Sequence, residues 1–298
     1  MTNKTYCGFV AIVGRPNVGK STLLNDILGK KLSITSKKPQ TTRHQILGIK
    51  TIGACQTIYV DTPGMHKNTP KAINRYMNKS VIQAIQDVNA IVFVVDCRHW
   101  TDEDEMVLEC IRKINVPIIL AINKIDLIKD KEELLPRIDV LSKRFQFASI
   151  VPITALKSSN VDALEKEINQ YMPECIHYFP DDEYTDRSMK FLAAEMIREK
   201  LMRALGEEVP YSISVVIEKY ETKGKITEIA GLIYVERDGQ KAIVIGKKGE
   251  MLKKIGKEAR LDIEKMIGQK VFLQLWVKVK SGWSDNSKWL QHLGYTLD

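Results

Sequence analysis

Residues 14–21 read Gly-Arg-Pro-Asn-Val-Gly-Lys-Ser, and they follow an apolar run at Phe9–Val13. The helical pattern of Thr22–Leu28 comes directly after them, so the context is a buried strand, a tight glycine turn and a helix start. G-x-x-x-x-G-K-S in that context is typical of a phosphate-binding loop. Gly14 and Gly19 let the backbone wrap around a phosphate because no Cβ is in the way. The backbone N–H groups and the helix N-terminus then face an anion.

Two side chains of this loop add specific chemistry. Lys20 places a cation at the outer phosphates, and the hydroxyl of Ser21 suits Mg²⁺, which prefers oxygen ligands. The loop therefore predicts a polyphosphate ligand that is bound together with Mg²⁺.

Composition restricts the class of protein. The chain has 298 residues, which is long enough for two domains that each bury a core. The five cysteines show no C-x-x-C spacing, so neither a zinc site nor a disulfide framework is expected and a reduced compartment is favoured. From the polar start at 1–6 we expect no signal peptide, and no apolar run approaches the ~20 residues of a membrane span. We expect a cytoplasmic protein, with peripheral membrane contact left open.

The first half alternates strand and helix patterns. Apolar runs such as Ala90–Asp96 and Pro117–Ile122 are short and unbroken, as in buried parallel strands, and helical spacing separates them. This order predicts an α/β fold with a doubly wound, mainly parallel sheet. Ligand sites in such sheets lie at the carboxyl ends of the strands. Gly14, Asp61, Asn123 and Thr154 all lie at the carboxyl ends of predicted strands, which indicates one shared site.

A second motif, Asp61-Thr62-Pro63-Gly64, ends the second strand of a predicted pair, Gln45–Thr51 and Cys55–Val60. An Asp at this edge, beside a phosphate loop, is suited to hold Mg²⁺ through a water. The N–H of Gly64 is suited to donate to a γ-phosphate because nothing blocks the approach. We therefore expect this motif to respond to whether the bound nucleotide carries a γ-phosphate.

The sequence Asn123-Lys124-Ile125-Asp126 predicts the base. The Asp126 carboxylate can accept N1–H and the 2-amino group of guanine, whereas adenine would leave it unpaired, a difference that can reject the wrong base by about 10⁴–10⁵. The aliphatic stem of Lys124 is expected to lie on the ring face, and Asn123 to tie neighbouring loops together. The backbone N–H of Ala155, in Ile153-Thr154-Ala155-Leu156, is expected to donate to the guanine 6-oxo group.

Together these motifs resemble a translation-factor-type small GTPase over residues 8–172. One departure is Thr154, where that family usually has Ser; a hydroxyl is retained, so we expect little loss. The resemblance implies GTP and GDP as ligands and Mg²⁺ as cofactor. The GTP-binding residues that it implies are Gly14, Arg15, Pro16, Asn17, Val18, Gly19, Lys20, Ser21, Thr22, Asp61, Thr62, Pro63, Gly64, Asn123, Lys124, Asp126, Thr154, Ala155 and Leu156.

The resemblance also assigns roles at the reacting phosphate. Mg²⁺ would be held by Ser21, Thr42 and Asp61, with Thr41 as the alternative to Thr42 because the two threonines are adjacent. The catalytic set would be Lys20, Thr42 and Gly64.

Slow hydrolysis is predicted from the next position. Met65 stands where many GTPases have a Gln that orients the attacking water, and a thioether cannot do so. Arg15 and Arg43 are interpreted as surface or switch arginines rather than as an arginine finger. We therefore expect an intrinsic rate on the order of 10⁻⁴–10⁻² s⁻¹. Asn17 resembles an asparagine that helps some GTPases bind K⁺, which predicts K⁺-stimulated hydrolysis.

The pattern changes after residue 172. Residues 173–187 contain two prolines, an acidic run and no period, and are interpreted as an interdomain linker. Met189–Leu205 is amphipathic behind a Ser188 cap, and alternating strands are predicted at Tyr211–Lys219, Lys225–Glu236 and Val271–Lys280.

A G-x-x-G sequence, Gly246-Lys247-Lys248-Gly249, joins an apolar turn at 243–245 to a helical stretch at Met251–Ile267. The α-β-β-α-α-β order around it resembles a KH domain of the bacterial, type II arrangement, a smaller α+β fold. In KH domains this loop clamps about four nucleotides of single-stranded backbone. From Lys241 to Lys280 there are 11 Lys and Arg against 4 Asp and Glu, a local charge of +7 that suits phosphates. The predicted RNA-binding residues are Ile245, Gly246, Lys247, Lys248, Gly249, Lys253 and Lys254.

The aromatic residues of the tail leave two alternatives open. Trp283, Trp289 and Tyr295 are suited either to stack on bases or to pack against the last helix.

The combination of both halves resembles the Era-type GTPases of bacteria over essentially the whole chain. The limits expected are a GTPase domain at 1–174, a linker at 175–187 and a KH domain with its tail at 188–298. The resemblance implies a monomer that binds 16S rRNA near its 3′ end, assists maturation of the 30S subunit and partly associates with the inner membrane. Two alternatives remain: an RNA-binding scaffold whose nucleotide never turns over, and a membrane-associated signalling GTPase whose basic half binds anionic lipid.

Overall fold

The computed structural model describes residues 4–36, 38, 40–65, 71–206 and 212–295. It falls into two compact units. Unit 1 comprises the described residues of 1–33, 42–69 and 74–186, and unit 2 comprises those of 34–41, 70–73 and 187–298. The short segments 34–41 and 70–73 thus group with the C-terminal unit, which the sequence did not indicate. The sequence-based domain limits stay predictions.

Unit 1 is built on a six-stranded sheet with the order β2-β3-β1-β4-β5-β6. All neighbouring pairs are parallel except β2 and β3, which are antiparallel. This topology confirms the predicted doubly wound, mainly parallel sheet. The strands are β1 (Tyr6–Val13), β2 (Ile46–Ile52), β3 (Cys55–Asp61), β4 (Ala90–Asp96), β5 (Ile118–Asn123) and β6 (Ser149–Pro152).

The helices of unit 1 connect these strands and cover the sheet. Every side chain of β4 and β5 is buried, as expected for central parallel strands. The helices are α1 (Lys20–Leu28), α2 (Ala72–Ala84), α3 (Asp102–Ile111), α4 (Leu134–Ser142) and α5 (Val161–Asn169). Because β1, β3 and β5 are parallel or joined through parallel neighbours, their carboxyl ends and the loops that follow them lie at one edge of the sheet.

Unit 2 has the predicted α-β-β-α-α-β order. Its three-stranded sheet has the order β7-β8-β9, with β7 and β8 antiparallel and β8 and β9 parallel. Helices α6, α7 and α8 contribute buried apolar side chains to one core with the sheet. The elements are α6 (Met189–Ala204), β7 (Ser214–Lys223), β8 (Ile226–Val235), α7 (Asp238–Ile245), α8 (Glu250–Ile267), β9 (Lys270–Val279) and α9 (Ser287–His292).

Two differences from the sequence-based elements concern unit 2. The predicted strand Tyr211–Lys219, whose first residue lies outside the described residues, is observed as Ser214–Lys223, because pairing with β8 carries it further along the chain. The apolar residues 243–245 are the last turn of α7, a short helix. The side chain of Gln240 accepts hydrogen bonds from the backbone N–H groups of Glu236 and Arg237, and so fixes the start of that helix.

The stretch interpreted as a linker is hydrogen-bonded along unit 1. Cys7 N–H donates to the carbonyl of Pro173, Cys175 N–H donates to the carbonyl of Thr5, and Ile49 N–H donates to the carbonyl of Tyr184, each at 3.0 Å. Residues 173–184 are therefore tied to the edges of β1 and β2 rather than free between the units.

The tail packs onto unit 2. Trp283 is fully buried and donates its indole N–H to the carbonyl of Ser212, and Tyr295 is buried as well. Trp289 lies edge-on to Tyr234 with ring centroids 5.6 Å apart. Of the two alternatives left open by the sequence, packing is the role that the structure supports for Trp283 and Tyr295.

None of the helices among the described residues is long and apolar enough to cross a membrane. All five cysteines are free thiols.

Candidate nucleotide site and RNA-binding loop

The phosphate loop lies between β1 and α1, as predicted. Lys20 is the first residue of α1 and is 6% exposed, and its ammonium donates to the carbonyls of Gly14 and Arg15 at 2.9 Å. Burial lowers the pKa of Lys20 to about 8, and the nearby Asp61 carboxylate opposes that shift. An anion placed in this loop would favour the charged lysine.

The three residues predicted to hold Mg²⁺ meet at one point. The Ser21 hydroxyl donates to one Asp61 carboxylate oxygen at 2.9 Å and lies 2.7 Å from the Thr42 hydroxyl. Asp61 is fully buried and Thr42 nearly so. The hydroxyl of Thr41 instead donates to the carbonyl of Lys38 at 2.6 Å, so the structure favours Thr42 over Thr41.

This cluster fits a hard cation. The second carboxylate oxygen of Asp61 is buried and has no hydrogen-bond partner among the described residues, which is costly for a polar atom unless a ligand engages it. Burial also raises the pKa of Asp61, against the effects of Lys20 and Ser21, and a bound cation would lower it again. Two hydroxyls and a carboxylate are ligands that Mg²⁺ accepts in proteins.

The turn after β3 packs directly on the phosphate loop. A Cβ added to Gly64 would come within 2.7 Å of the backbone nitrogen of Pro16, so only glycine permits this close approach. The hydroxyl of Thr62 donates to the carbonyl of Ile12 and ties the turn to β1. Met65 is 4% exposed and belongs to the apolar core. The Met65 side chain therefore has a packing role in this core.

Asn123 ties three loops together. Its amide donates to the carbonyl of Val18 at 2.8 Å, and its oxygen accepts from the backbone N–H groups of Lys124 at 2.8 Å and of Ala155 at 3.0 Å. The tying role matches the expectation from sequence. The Ala155 N–H was predicted to face the guanine 6-oxo group, but in the structure it donates to the Asn123 side chain.

Lys124 and Asp126 occupy the loop after β5. Lys124 has a left-handed backbone with φ of 66°, and its ammonium donates to the carbonyl of Asn17 at 2.6 Å and to Asp96 at 2.9 Å. The lysine stem therefore spans from the base loop to the phosphate loop. The Asp126 carboxylate lies 3.2 Å from the ammonium of Lys157.

Two buried carboxylates of this region were missed by the sequence reasoning. Asp96 ends β4 and accepts from both Arg98 and Lys124; although burial opposes it, these hydrogen bonds hold its pKa well below the usual range. Asp104 is fully buried and accepts from Arg15 at 2.9 Å. A carboxylate after an apolar strand was the only available signal for Asp96, and α3 showed none beyond its acidic first turn.

The two arginines near the site differ in exposure. Arg15 is paired with Asp104, and Arg43 is fully buried. Arg43 is therefore not a surface arginine, whereas Arg15 is partly exposed; that either of them is a switch arginine stays a prediction.

An open groove of about 380 Å³ adjoins α1. It brings Thr22 together with Ala155 and Leu156, as a shared nucleotide site requires. Thr154 lies behind them and is buried. The residues lining the groove are Thr22, Asn25, Asp26, Gly29, Lys30, Lys31, Ala155 and Leu156.

In unit 2 the Gly246–Gly249 loop joins α7 to α8. Gly246 has φ of 72°, and a Cβ there would come within 2.6 Å of the Met251 Cβ, so the turn requires glycine. The predicted lysines are exposed and have no hydrogen-bond or ion-pair partner among the described residues. These lysines are Lys247, Lys248, Lys253 and Lys254. Ile245, at the end of α7, is half-buried.

Two family models match the chain. Residues 9–124 match a model described as a 50S ribosome-binding GTPase, and residues 208–284 match the KH domain.

The chain is also similar to named proteins over nearly its full length. GTPase Era of Marinobacter nauticus is 58% identical over 98% of this chain and 95% of its own. GTPase Era of Ectopseudomonas mendocina is 59% identical over 97% of both. A crystal structure of Era with MgGDPNP and nucleotides 1506–1542 of 16S ribosomal RNA matches with a TM-score of 0.95 and 42% identity, covering 98% of this chain and 100% of that one. A variant of Aquifex aeolicus Era bound to GDP and AlF4⁻ matches equally well.

Proposed function

Because this chain belongs to the Era family of GTPases, we propose that it couples GTP hydrolysis in unit 1 to RNA binding by unit 2. The chain is a GTPase. The observation that carries the proposal is the meeting of the Ser21, Thr42 and Asp61 oxygens next to Lys20, where one Asp61 oxygen is buried and has no partner within the part of the chain that the structure describes.

Each residue of the nucleotide site has its own proposed role. Lys20 places a cation at the outer phosphates, and the N–H of Gly64 is held against the phosphate loop where it can donate to a γ-phosphate. Ser21, Thr42 and Asp61 would hold Mg²⁺, which when bound neutralises charge on the β- and γ-phosphates. Asp126 would select guanine, and Asn123 would hold the base loop against the phosphate loop.

Hydrolysis is tested by multiple-turnover phosphate release with and without Mg²⁺. Asp61→Asn should abolish the Mg²⁺-dependent release, whereas Asp87→Asn, a change of the same kind at an exposed residue, should leave it intact. Release that stops at one equivalent per protein would instead support the scaffold with a non-cycling nucleotide.

For unit 2 we propose binding to 16S rRNA near its 3′ end and a role in assembly of the 30S subunit. The lysines around Gly246–Gly249, which have no partner in the described ranges, support this, and so does the similar Era protein that was solved with nucleotides 1506–1542 of 16S ribosomal RNA. The residues that would contact the RNA are those predicted from the sequence, from Ile245 to Gly249 with Lys253 and Lys254.

One feature of unit 2 supports coupling to the nucleotide. The Arg198 guanidinium donates to the carbonyl of Thr41, and the Glu199 carboxylate accepts from the backbone N–H of Thr35. α6 thus holds the 34–41 segment within unit 2, and the next residue, Thr42, belongs to the cluster proposed for Mg²⁺. A rearrangement of Thr42 on hydrolysis would change the segment that α6 holds. A coupling of about 1–3 kcal/mol, equal in both directions, is expected.

The test compares RNA binding with a GTP analogue, GDP or no nucleotide. A 16S 3′-end oligomer and a scrambled one are used at two salt concentrations, with Lys247→Gln and, as control at the far end of α8, Lys265→Gln. Selective binding that depends on the GTP analogue supports the switch. Equal affinity of the GTP and GDP forms would contradict the coupling, and weak binding to both oligomers that salt abolishes would reduce unit 2 to an electrostatic patch.

A 50S partner is the second candidate, because the matching family model is described as a 50S ribosome-binding GTPase. Co-sedimentation with purified 30S and 50S subunits separates the two. Retention on 50S alone would replace the 30S proposal.

K⁺ stimulation is proposed from Asn17, whose side chain is exposed on the phosphate loop at φ of 63°. Hydrolysis should be faster in K⁺ than in Na⁺ buffer, and Asn17→Ala should remove the difference. Equal rates in both buffers for the unaltered protein would end this proposal.

Localisation is proposed to be cytoplasmic, with part of the protein on the inner membrane. The exposed lysines of unit 2 would contact anionic lipid. Flotation with anionic vesicles, with and without the RNA oligomer, measures this. Competition between RNA and vesicles would point to one shared basic surface, and no flotation would contradict membrane association.

A further inference from the structure

The strand β9 lies at the edge of the sheet of unit 2 and presents one face to solvent. Its residues alternate between core and solvent, and the solvent-facing set includes two aromatic rings. Phe272 is 54% exposed and Trp276 is 46% exposed, whereas the other three tryptophans of the chain are buried or half-buried. We call this set the β9 face; it consists of Phe272, Gln274, Trp276 and Lys278.

The polar groups of the β9 face are unused within the described part of the chain. The Gln274 amide, the Trp276 indole N–H and the Lys278 ammonium have no hydrogen-bond or ion-pair partner there. A purely apolar partner would bury these groups without satisfying them, at a cost. The face therefore suits a ligand that offers both flat apolar surfaces and hydrogen-bonding atoms.

The charge around the β9 face is positive. Lys270 and Lys280 flank it in sequence; the first lies 3.5 Å from Glu264 and the second lies over the Trp289 ring. The acidic residue opposite Phe272 on β8 is Glu228, and the ammonium groups of Lys219 and Lys223 already engage its carboxylate, at 2.6 and 3.2 Å. The face thus offers an uncompensated cation at Lys278 and no free carboxylate at Glu228.

We infer that the β9 face is a second RNA-contacting surface, on which unstacked bases of a single strand lie against Phe272 and Trp276. Residues four apart on a strand are about 13 Å from each other, so the two rings would receive two different bases. Aromatic platforms with flanking cations are how proteins hold single strands without sequence selection. α7 and α8, which carry the Gly246–Gly249 loop between them, pack on the core-facing side of β9. The β9 face is the other side of the same edge strand, so a single strand clamped by the loop would pass around this edge to reach it.

The inference rests on the proposed RNA binding by unit 2 and extends it. The loop would hold about four nucleotides, and the β9 face would add affinity only for longer strands. Length dependence therefore separates the two surfaces.

The experiment measures the affinity of the whole protein, loaded with a GTP analogue, for a 5-nucleotide and a 14-nucleotide single-stranded RNA. Phe272→Ala and Trp276→Ala should each weaken binding of the 14-mer about tenfold, as expected for loss of one stacked base, and leave binding of the 5-mer unchanged. The salt dependence should not change, because no charge is removed. Trp276→Phe should retain most of the affinity.

Leu261→Ala is the matched control, since Leu261 is an apolar residue of α8 that is 48% exposed. It should leave both affinities unchanged, and an equal loss in this variant would contradict the inference. Melting temperatures of all variants show whether unit 2 remains folded.

The remaining outcomes also discriminate. If the unaltered protein binds neither oligomer, the proposed RNA function fails and this inference with it. If it binds both and the Phe272→Ala/Trp276→Ala double variant binds the 14-mer equally well, only this inference fails. If the unaltered protein dimerises and the double variant is monomeric with undiminished 14-mer binding, the face is a self-association surface and the inference is overturned.

Discussion

In unit 1 the groups proposed to bind the ligand are buried and bonded to one another, whereas in unit 2 the corresponding lysines are exposed and unpaired among the described residues. Ser21, Thr42 and Asp61 are arranged in advance, and Asn123 fixes the base loop. The lysines around Gly246–Gly249 are held only by their backbone. The first arrangement gives geometric selectivity, and the second gives an electrostatic attraction that counterions weaken. We expect single changes in unit 1 to have large effects and single changes in unit 2 to have small, salt-dependent ones.

The strongest test of this contrast is the base selectivity of unit 1. Asp126→Asn should lower the preference for GTP over ATP from about 10⁴ towards one, because the carboxylate that pairs with the guanine edge is lost. Affinity for XTP should rise, since an amide can donate to the 2-oxo group of xanthine. Competition binding with GTP, XTP and ATP measures both. An unchanged GTP preference would mean that Asp126 does not contact the base.

The next test concerns the charge at the phosphates. Lys20→Met keeps the length of the side chain and removes the cation, and should reduce kcat/KM for GTP by about 10²–10³. The loss should be nearly the same at low and high salt, because the group is buried. Steady-state phosphate release at two ionic strengths checks this. A loss that salt largely erases would break the contrast between the units.

A third test uses stability instead of activity. Burial raises the pKa of Asp96, but hydrogen bonds from Arg98 and Lys124 outweigh this effect and lower it. The stabilisation that ionised Asp96 gives to the folded state is therefore present above its unfolded-state pKa of about 3.9, and it is lost as the pH falls towards its folded-state pKa. Asp96→Asn should lower the free energy of unfolding at pH 7 by about 1.5–3 kcal/mol. The difference from the unaltered protein should shrink below pH 4.

The matched change in unit 2 is Glu228→Gln, at a carboxylate whose pKa hydrogen bonds from Lys219 and Lys223 also lower. That pair is on the surface, so little change is expected. Urea unfolding across pH 3–7 compares the variants. A larger loss from Glu228→Gln than from Asp96→Asn would reverse the comparison.

The smallest effect is expected at the loop of unit 2. Lys247→Gln and Lys248→Gln should each weaken RNA binding a few-fold, uniformly across sequences, and reduce the salt slope by about one. Binding isotherms at four salt concentrations give the slope. An effect of one lysine that exceeds a hundredfold, or an unchanged slope, would mean that the loop is a preorganised site like that of unit 1.

The sequence predicted what depends on local pattern. The strand, glycine turn and helix around residues 14–21 follow from residue types and their spacing, as does the meeting of Gly14, Asp61 and Asn123 at one edge of a parallel sheet. The preference for Thr42 over Thr41 as a Mg²⁺ ligand came from the family resemblance rather than from local pattern.

Contacts between distant residues were not accessible in this way. Arg15 and Asp104 are 89 positions apart, and nothing in either neighbourhood indicates the other. The Ala155 N–H was predicted to bind the base. Its hydrogen bond to Asn123 could not be predicted, because that bond forms only where two loops distant in sequence meet. The limits of α7 were not predicted, because a helix of 8 residues shows barely two turns of period and its start is fixed by one side chain, Gln240.

Met65 is the residue from which slow GTP hydrolysis is predicted. Its side chain is in the core, so it does not align the attacking water. A rate on the order of 10⁻⁴–10⁻² s⁻¹ corresponds to a GTP-bound lifetime of about two minutes to three hours. Diffusional encounters with RNA are far faster than hydrolysis at this rate, so a GTP-bound molecule would meet many RNA molecules before its GTP is hydrolysed. The lifetime of the GTP-bound form would then be set by the partner that completes the catalytic site.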